Sequence, residues 1–313
     1  MWDWRTLPGT TTEQRNYSLK PGSDWGVRGT STHAGGASDA EAGVSSFAYQ
    51  RLGVTAKKSW FFLGDRMVAL GSGIDAPTVT NPVWTTVNQC LLEGPVNYST
   101  GSSTTMLGAA RRNLASVDWV HHDGIGYFFP DGSGSTTVVG ESRTGNWNTI
   151  NTSLSTDPVT DDVFAIHLNH RYPVTGGSYA YVVMPVADAA TMDASAPDDL
   201  VIERNDAVAQ AASDSTTGYQ AVNFWAAGTV AGITSDKPCS ILVKRDADSI
   251  KVTLCDPTQA LAGDIVITIK EPVATLIQAD PRITVENSTG TLQLRFAVSG
   301  TMGQSLTASF SRN

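Results

Sequence analysis

A chain of 313 residues, 41% hydrophobic and 16% charged, has material for two domains with separate cores, and we read two. Its net charge of −9 repels polyanions, which argues against nucleic acid as a partner, and no apolar run approaches the length needed to cross a bilayer. Plentiful Thr, Ser, Gly and Asn predict an all-β chain of short antiparallel strands joined by polar turns.

Residues 1–13 lack the basic and apolar regions of a signal peptide and start as though cut from within a longer protein. Trp2 and Trp4 alternate there with Asp3 and Arg5. Exposed tryptophan beside a basic side chain suits stacking on sugar rings and holding an acidic group; burial against a neighbouring domain is the equal alternative. From Val27 onward the pattern is strand, turn, strand. Residues 55–74, TAKKSWFFLGDRMVALGSGI, predict a core hairpin. Trp60 and Phe62 fall on one face of its first strand, Phe61 and Leu63 on the other, so both faces should be covered. Gly64-Asp65 fits a type II′ turn, and the return strand is expected over Arg66 to Leu70, ended by Gly71 and Gly73. Short helical hints lie at Asp39 to Tyr49 and Asp206 to Ala212.

Tyr127 to Phe129 predicts a strand closed by Pro130-Asp131-Gly132. Val163 to His170 alternates, with Phe164, Ile166 and Leu168 on one face and Val163, Ala165, His167 and Asn169 on the other. Residues 187–199, ADAATMDASAPDD, lose all periodicity, and the boundary is placed there, giving domains at 1–190 and 198–313. Beyond it, half-buried strands are expected at Ser240 to Arg245, Ser249 to Cys255, Ile265 to Lys270 and Thr291 to Val298, an antiparallel sandwich.

Composition and spacing alone assign no reaction. His121 and His122 point to opposite faces of a strand, as do His167 and His170, so neither pair can share one ion. His121 and Asp123 could share a face and pair structurally. His33 lies in a Gly/Ser-rich loop. Cys90, Cys239 and Cys255 are too few and scattered for a disulfide framework or zinc site; Cys239 and Cys255 could meet across a hairpin but read as buried free thiols. Asp161-Asp162 and Asp198-Asp199 read as solvated turn carboxylates. Lys57-Lys58 and Arg111-Arg112 read as solvated strand-end charges, with a local anion contact as the alternative.

Several phrases occurring in order, among them WDWRTLPGTT, GGASDAEAGVSSF, WTTVNQCLLEGPV, VHHDGIGYFFP, GNWNTIN and GGSYAYVVMP, resemble the central β-domain of the polysaccharide lyases that cleave hyaluronan, chondroitin and xanthan. RNDAVAQAA, AVNFWAAGT, ITSDKPCSILVKRD and LCDPTQ resemble that family's C-terminal β-sandwich. The resemblance implies a large antiparallel supersandwich followed by a smaller antiparallel β-sandwich. It also implies an N-terminal α/α toroid carrying the catalytic Asn, His, Tyr and Arg, where Asn and His neutralise the uronate carboxylate and Tyr moves protons during β-elimination. No stretch of this chain predicts such a toroid, so no catalytic residue is carried over.

What the resemblance leaves for this chain is scaffold and one wall of the substrate cleft, with Trp4, Arg5, Asn16, Arg28 and His33 as candidate wall residues. The expected partners are an acidic polysaccharide, hyaluronan or chondroitin, and a toroid domain on the same or another chain. No cofactor or metal is expected, and export to the extracellular space is implied. The alternatives are a stand-alone carbohydrate-binding or structural module, and a β-sandwich enzyme using His121, His167 or His170.

Overall fold

Alternating apolar residues on short polar-flanked segments dictate strands, and a computed structural model, describing residues 2–16, 29–101, 103–130, 132–273 and 275–312, is built of antiparallel strands. Among the described residues the helical elements are three short 3₁₀ turns. The contacts divide the chain into two units: residues 1–30, 50–56 and 74–196 form the first, and 31–49, 57–73 and 197–313 the second.

The first unit has two antiparallel layers. One runs Thr11–Glu13, Val83–Leu91, Val159–Asn169, Thr136–Gly145, Ala110–Leu114; the other includes Val174–Pro185, Ile125–Phe128, Trp119–His122, Val96–Ser99 and Thr104–Leu107. Phe164, fully buried, joins them by stacking on His122 at 4.2 Å and meeting Tyr127 at 5.9 Å. The opposite face of the same strand carries His167, paired with Thr86 and Asn169 with Trp84 in the register. His167 is buried, its ring 5.0 Å from that of Trp84 and its Nδ1 3.2 Å from the Thr86 hydroxyl.

The second unit contains a seven-stranded and a five-stranded sheet whose apolar faces enclose one core. Leu292, Leu294, Phe296 and Val298 project into it together, as the alternation requires. The other face of the seven-stranded sheet is polar and meets the earlier segments through specific bonds: Asn223 Nδ2 donates to the Ser45 carbonyl at 2.9 Å, Ser59 Oγ to Gln210 Oε1 at 2.5 Å, and Tyr219 OH to Asp39 at 2.7 Å. Arg66 donates to Asp199 at 2.7 Å and Asp214 at 3.4 Å.

Several expectations change. The hairpin turns at Gly64 with φ +63°, but the return strand continues through Gly71 and Gly73 to Ala76. Phe61 and Leu63 are fully buried while Phe62 is 46% exposed, so the second face is open at the turn end rather than covered. The expected helical hints are strands, Gly43–Arg51 and Ala209–Asp214, because strand pairing satisfies their backbone where no apolar stripe could bury a helix. The aperiodic residues 187–199 carry contacts of their own: Met192 is fully buried, and Trp119 Nε1 donates to Asp193 at 2.6 Å. Lys58 is buried rather than solvated.

Truncating Phe296 to Ala empties a core position and should cost about 3–5 kcal/mol, read as a lower denaturant midpoint with unchanged slope. His167 supplies a pH prediction. Burial, and then the positive Arg111 and Arg143, push its pKa down to about 3. Between that value and the ordinary 6.5 the unfolded chain binds a proton that the folded chain refuses. Stability therefore falls as pH drops through the window, by up to about 1.4 kcal/mol per pH unit from this group. The loss of denaturant midpoint between about pH 7 and about pH 4.5 should be smaller in His167→Gln than in the parent, and equal losses would refute the assignment.

Candidate functional site

A chain of polar contacts in the first unit starts at Gln89, buried in strand Val83–Leu91 and paired in register with Ala165, on the His167 face. Its Oε1 accepts from Asp3 N at 3.1 Å and from Arg143 Nη1 at 2.9 Å, while Nε2 donates to the carbonyls of Asp3 and Thr6, both at 3.0 Å. Every donor and acceptor site of the amide is used. The N-terminal segment is thereby laid over the sheet, and Trp2, Asp3 and Trp4 come to line a cleft of about 960 Å³.

The opposite side of the cleft comes from strand Thr136–Gly145 and the turn after it. Glu141 and Arg143, two residues apart, share one face, as strand alternation requires. Arg143 Nε donates to Glu141 Oε1 at 2.9 Å, and Arg111 Nη2, from Ala110–Leu114, donates to the same oxygen at 3.0 Å. Trp147 follows in a tight turn. Asn146 Oδ1 caps it by accepting from Thr149 N at 3.1 Å, and the Trp147 carbonyl accepts from Ile150 N at 3.1 Å and Asn151 N at 3.0 Å. These bonds present the indole on a defined turn, where Trp147 is 51% exposed and Trp4 41% exposed.

The electrostatics follow from these contacts. Burial alone would raise the Asp3 carboxyl, but hydrogen bonds from the Arg5 side chain and backbone outweigh it and hold the pKa below the ordinary value. Glu141 behaves alike, its burial outweighed by bonds from Arg111 and Arg143. The Asp3 bond in turn raises the Arg5 pKa. Both carboxylates are thus ionised and committed to guanidinium partners. Three indoles, Trp2, Trp4 and Trp147, with two arginines on one concave surface can stack on sugar rings and donate to an anionic substituent.

Of the expected wall residues, Trp4 lines the cleft. Arg5 lies behind it, bound to Asp3 through Nε at 3.0 Å and Nη2 at 2.9 Å and to Asn16 Oδ1 through Nη1 at 3.2 Å. Arg5 and Asn16 thus brace the segment that carries Trp4. Arg28 lies outside the described residues. His33 belongs to the second unit, where its Nε2 is 2.9 Å from Ser46 Oγ and its ring lies 4.4 Å from that of Trp225. Burial first, and the charge of Lys57 against that of Asp256, push its pKa down to about 4, as suits a neutral packed ring.

Trp147, Arg143 and Glu141 escaped notice as site residues. The available signal was an acid and a base at strand spacing, followed by Gly145-Asn146 and an isolated tryptophan in a polar loop. The other histidines are structural. His121 Nε2 donates to the Val186 carbonyl at 2.8 Å rather than pairing with Asp123, and His122 Nε2 accepts from Glu93 N at 3.1 Å. His170 Nε2 lies 2.8 Å from Thr85 Oγ1. Among the described residues no group of three or more His, Cys, Asp or Glu could hold a metal ion. Cys239 and Cys255 are buried free thiols.

Comparison with known proteins matches residues 1–196 to the super-sandwich domain of polysaccharide lyase family 8 and residues 202–265 to that family's C-terminal β-sandwich domain. Chondroitinase-AC of Pedobacter heparinus is 33% identical over 273 residues, 83% of this chain and 37% of that protein. Hyaluronate lyase of Thermasporomyces composti is 34% identical over 307 residues, 95% of this chain and 39% of that protein. The solved Paenibacillus xanthan lyase superposes with a TM-score of 0.91 at 28% identity, over 99% of this chain and 31% of that one. The chain thus spans well under half the length of the relatives it matches. With the super-sandwich match alone covering more than half of its residues, the chain belongs to polysaccharide lyase family 8.

Proposed function

We propose that this chain is the β-domain portion of a lyase that cleaves uronate-containing polysaccharides, hyaluronan or chondroitin, by β-elimination, and that it serves as scaffold and one wall of the substrate cleft. The observation that carries this is the cleft bounded by Trp4, Trp147, Arg111 and Arg143. Relatives named for chondroitin and hyaluronate support the substrate class.

Elimination breaks the C4–O glycosidic bond of a uronate as its C5 proton leaves. It requires a base for that proton, a group that neutralises the carboxylate, and an acid for the departing oxygen, all converging on one sugar. The described cleft residues include no histidine, tyrosine or cysteine. Arg111 and Arg143 can hold a carboxylate but cannot move a proton near neutral pH. The chemistry on this reading belongs to an α/α toroid, carried on a longer form of this chain or on a partner. The protein works outside the cell, where polymeric substrates are found. The same cleft would also serve a stand-alone carbohydrate-binding module, which differs in forming no product in any longer form.

The test is the ultraviolet absorbance of unsaturated uronate when the chain is mixed with hyaluronan or chondroitin, repeated with a toroid-bearing form. A flat trace for the 313-residue chain and a rising one for the longer form are expected. A rising trace from the repurified chain alone would place catalytic groups within it and overturn the assignment of roles.

A further inference from the structure

The cleft contains more than a generic wall. Trp147 is a large apolar side chain left half-exposed, yet its backbone is locked by the Asn146 cap and by two bonds to its own carbonyl. With the backbone so tethered, only the side-chain torsions remain to be fixed when a flat ligand stacks on the indole. Trp4 lines the same cleft, on a segment anchored by Gln89, so both indoles stand on built supports. Beside them Arg143 is tied at both ends of its guanidinium, to Glu141 and to Gln89, and is largely buried. Arg111 differs: among the described residues it gives only Nη2 to Glu141, and its side chain is 37% exposed. Glu141 therefore orients Arg111, whose remaining donors make no hydrogen bond among the described residues.

Resting on the function proposed above, we propose that Trp147, Trp4 and Arg111 form a subsite for one anionic sugar unit, the indoles stacking on pyranose faces and Arg111 donating to the sugar's acidic group, carboxylate or sulfate ester. Arg143 and Glu141 are positioning residues that hold Arg111 and the wall behind it. The site is distinct in role from proton transfer, since Trp147, Trp4 and Arg111 offer no base and the Glu141 carboxylate is held by Arg111 and Arg143.

The experiment titrates a short hyaluronan oligosaccharide into the 313-residue chain at low salt, followed by calorimetry, and repeats it with the carboxyl-reduced oligosaccharide and with chondroitin oligosaccharides with and without sulfate. Trp147→Ala should weaken every ligand by about tenfold, and Arg111→Gln should weaken the acidic ligand by about tenfold while abolishing its advantage over the reduced one. Both side chains are exposed enough that circular dichroism should stay unchanged; Trp4→Ala is the second stacking variant. A preference for sulfated chondroitin that Arg111→Gln removes would make the sulfate ester the bound group, and equal binding of the two chondroitins the carboxylate. The proposal is overturned if the parent chain binds none of these ligands, or if folded Trp147→Ala and Arg111→Gln bind as the parent does, as they would if a protein domain rather than a sugar occupied the cleft. Either result leaves the lyase assignment standing, because that depends on product formed by the longer form.

Discussion

The cleft depends on one buried amide. Gln89 binds the N-terminal segment through three bonds and Arg143 through a fourth, so a single side chain sets the spacing between the two sides. A buried polar group with all its partners present strengthens in its low-dielectric surroundings, and one missing a partner is costly. Nothing apolar could replace Gln89 without releasing both residues 3–6 and the Arg143 guanidinium. The same bonds roof the sheet face on which His167 packs, which accounts for a histidine kept neutral beneath two arginines.

The second unit uses a comparable device for a different end. Gln210 is fully buried, accepting from Ser59 Oγ and from Trp225 Nε1 at 3.2 Å, and donating through Nε2 to the Lys57 carbonyl, Ser72 Oγ and Asn205 Oδ1. It fastens the hairpin residues 57–73 to strand Ala209–Asp214. Apolar burial would have sufficed to hold two sheets together, but polar pairs specify which residues meet. This set of bonds, together with Asn223 to Ser45 and Arg66 to Asp199 and Asp214, holds residues 31–49 and 57–73 to 197–313.

What was legible in the sequence was whatever follows from alternation. Leu292, Leu294, Phe296 and Val298 share a buried face, and Val163 to Leu168 form a strand buried on both sides, because a period of two leaves no other way to hide those side chains. Gly64 could be placed at a turn because only glycine takes its positive φ without strain. The return strand beyond Leu70 was not legible: Gly71 and Gly73 look like terminators locally, and only pairing with a long neighbour carries a strand through them. Phe62 was misjudged for the related reason that alternation says which side chains share a face but not how far the covering layer extends. The site was half legible. Tryptophan alternating with charge at residues 2–5 is a local pattern, whereas Arg111, Glu141 and Trp147 meet only through the pairing of Ala110–Leu114 with Thr136–Gly145, which composition cannot reveal.

A chain of net charge −9 is a poor collector of polyanions at long range, and the local arrangement answers this by geometry. Within the cleft Arg111 and Arg143 match Asp3 and Glu141, and Arg5 just behind the wall makes the local count three positive charges to two negative. At physiological ionic strength charges farther than about 8 Å are largely screened, so this local excess outweighs the distant carboxylates for any ligand already seated. The two carboxylates do not oppose such a ligand as free anions would. Each is bonded to guanidinium groups, Asp3 through both oxygens and Glu141 twice through Oε1, and its effect is to fix the donors around it. Acidic residues in this cleft thus orient positive charge rather than cancel it, and on the reading proposed above this is how a net acidic protein would meet an acidic sugar.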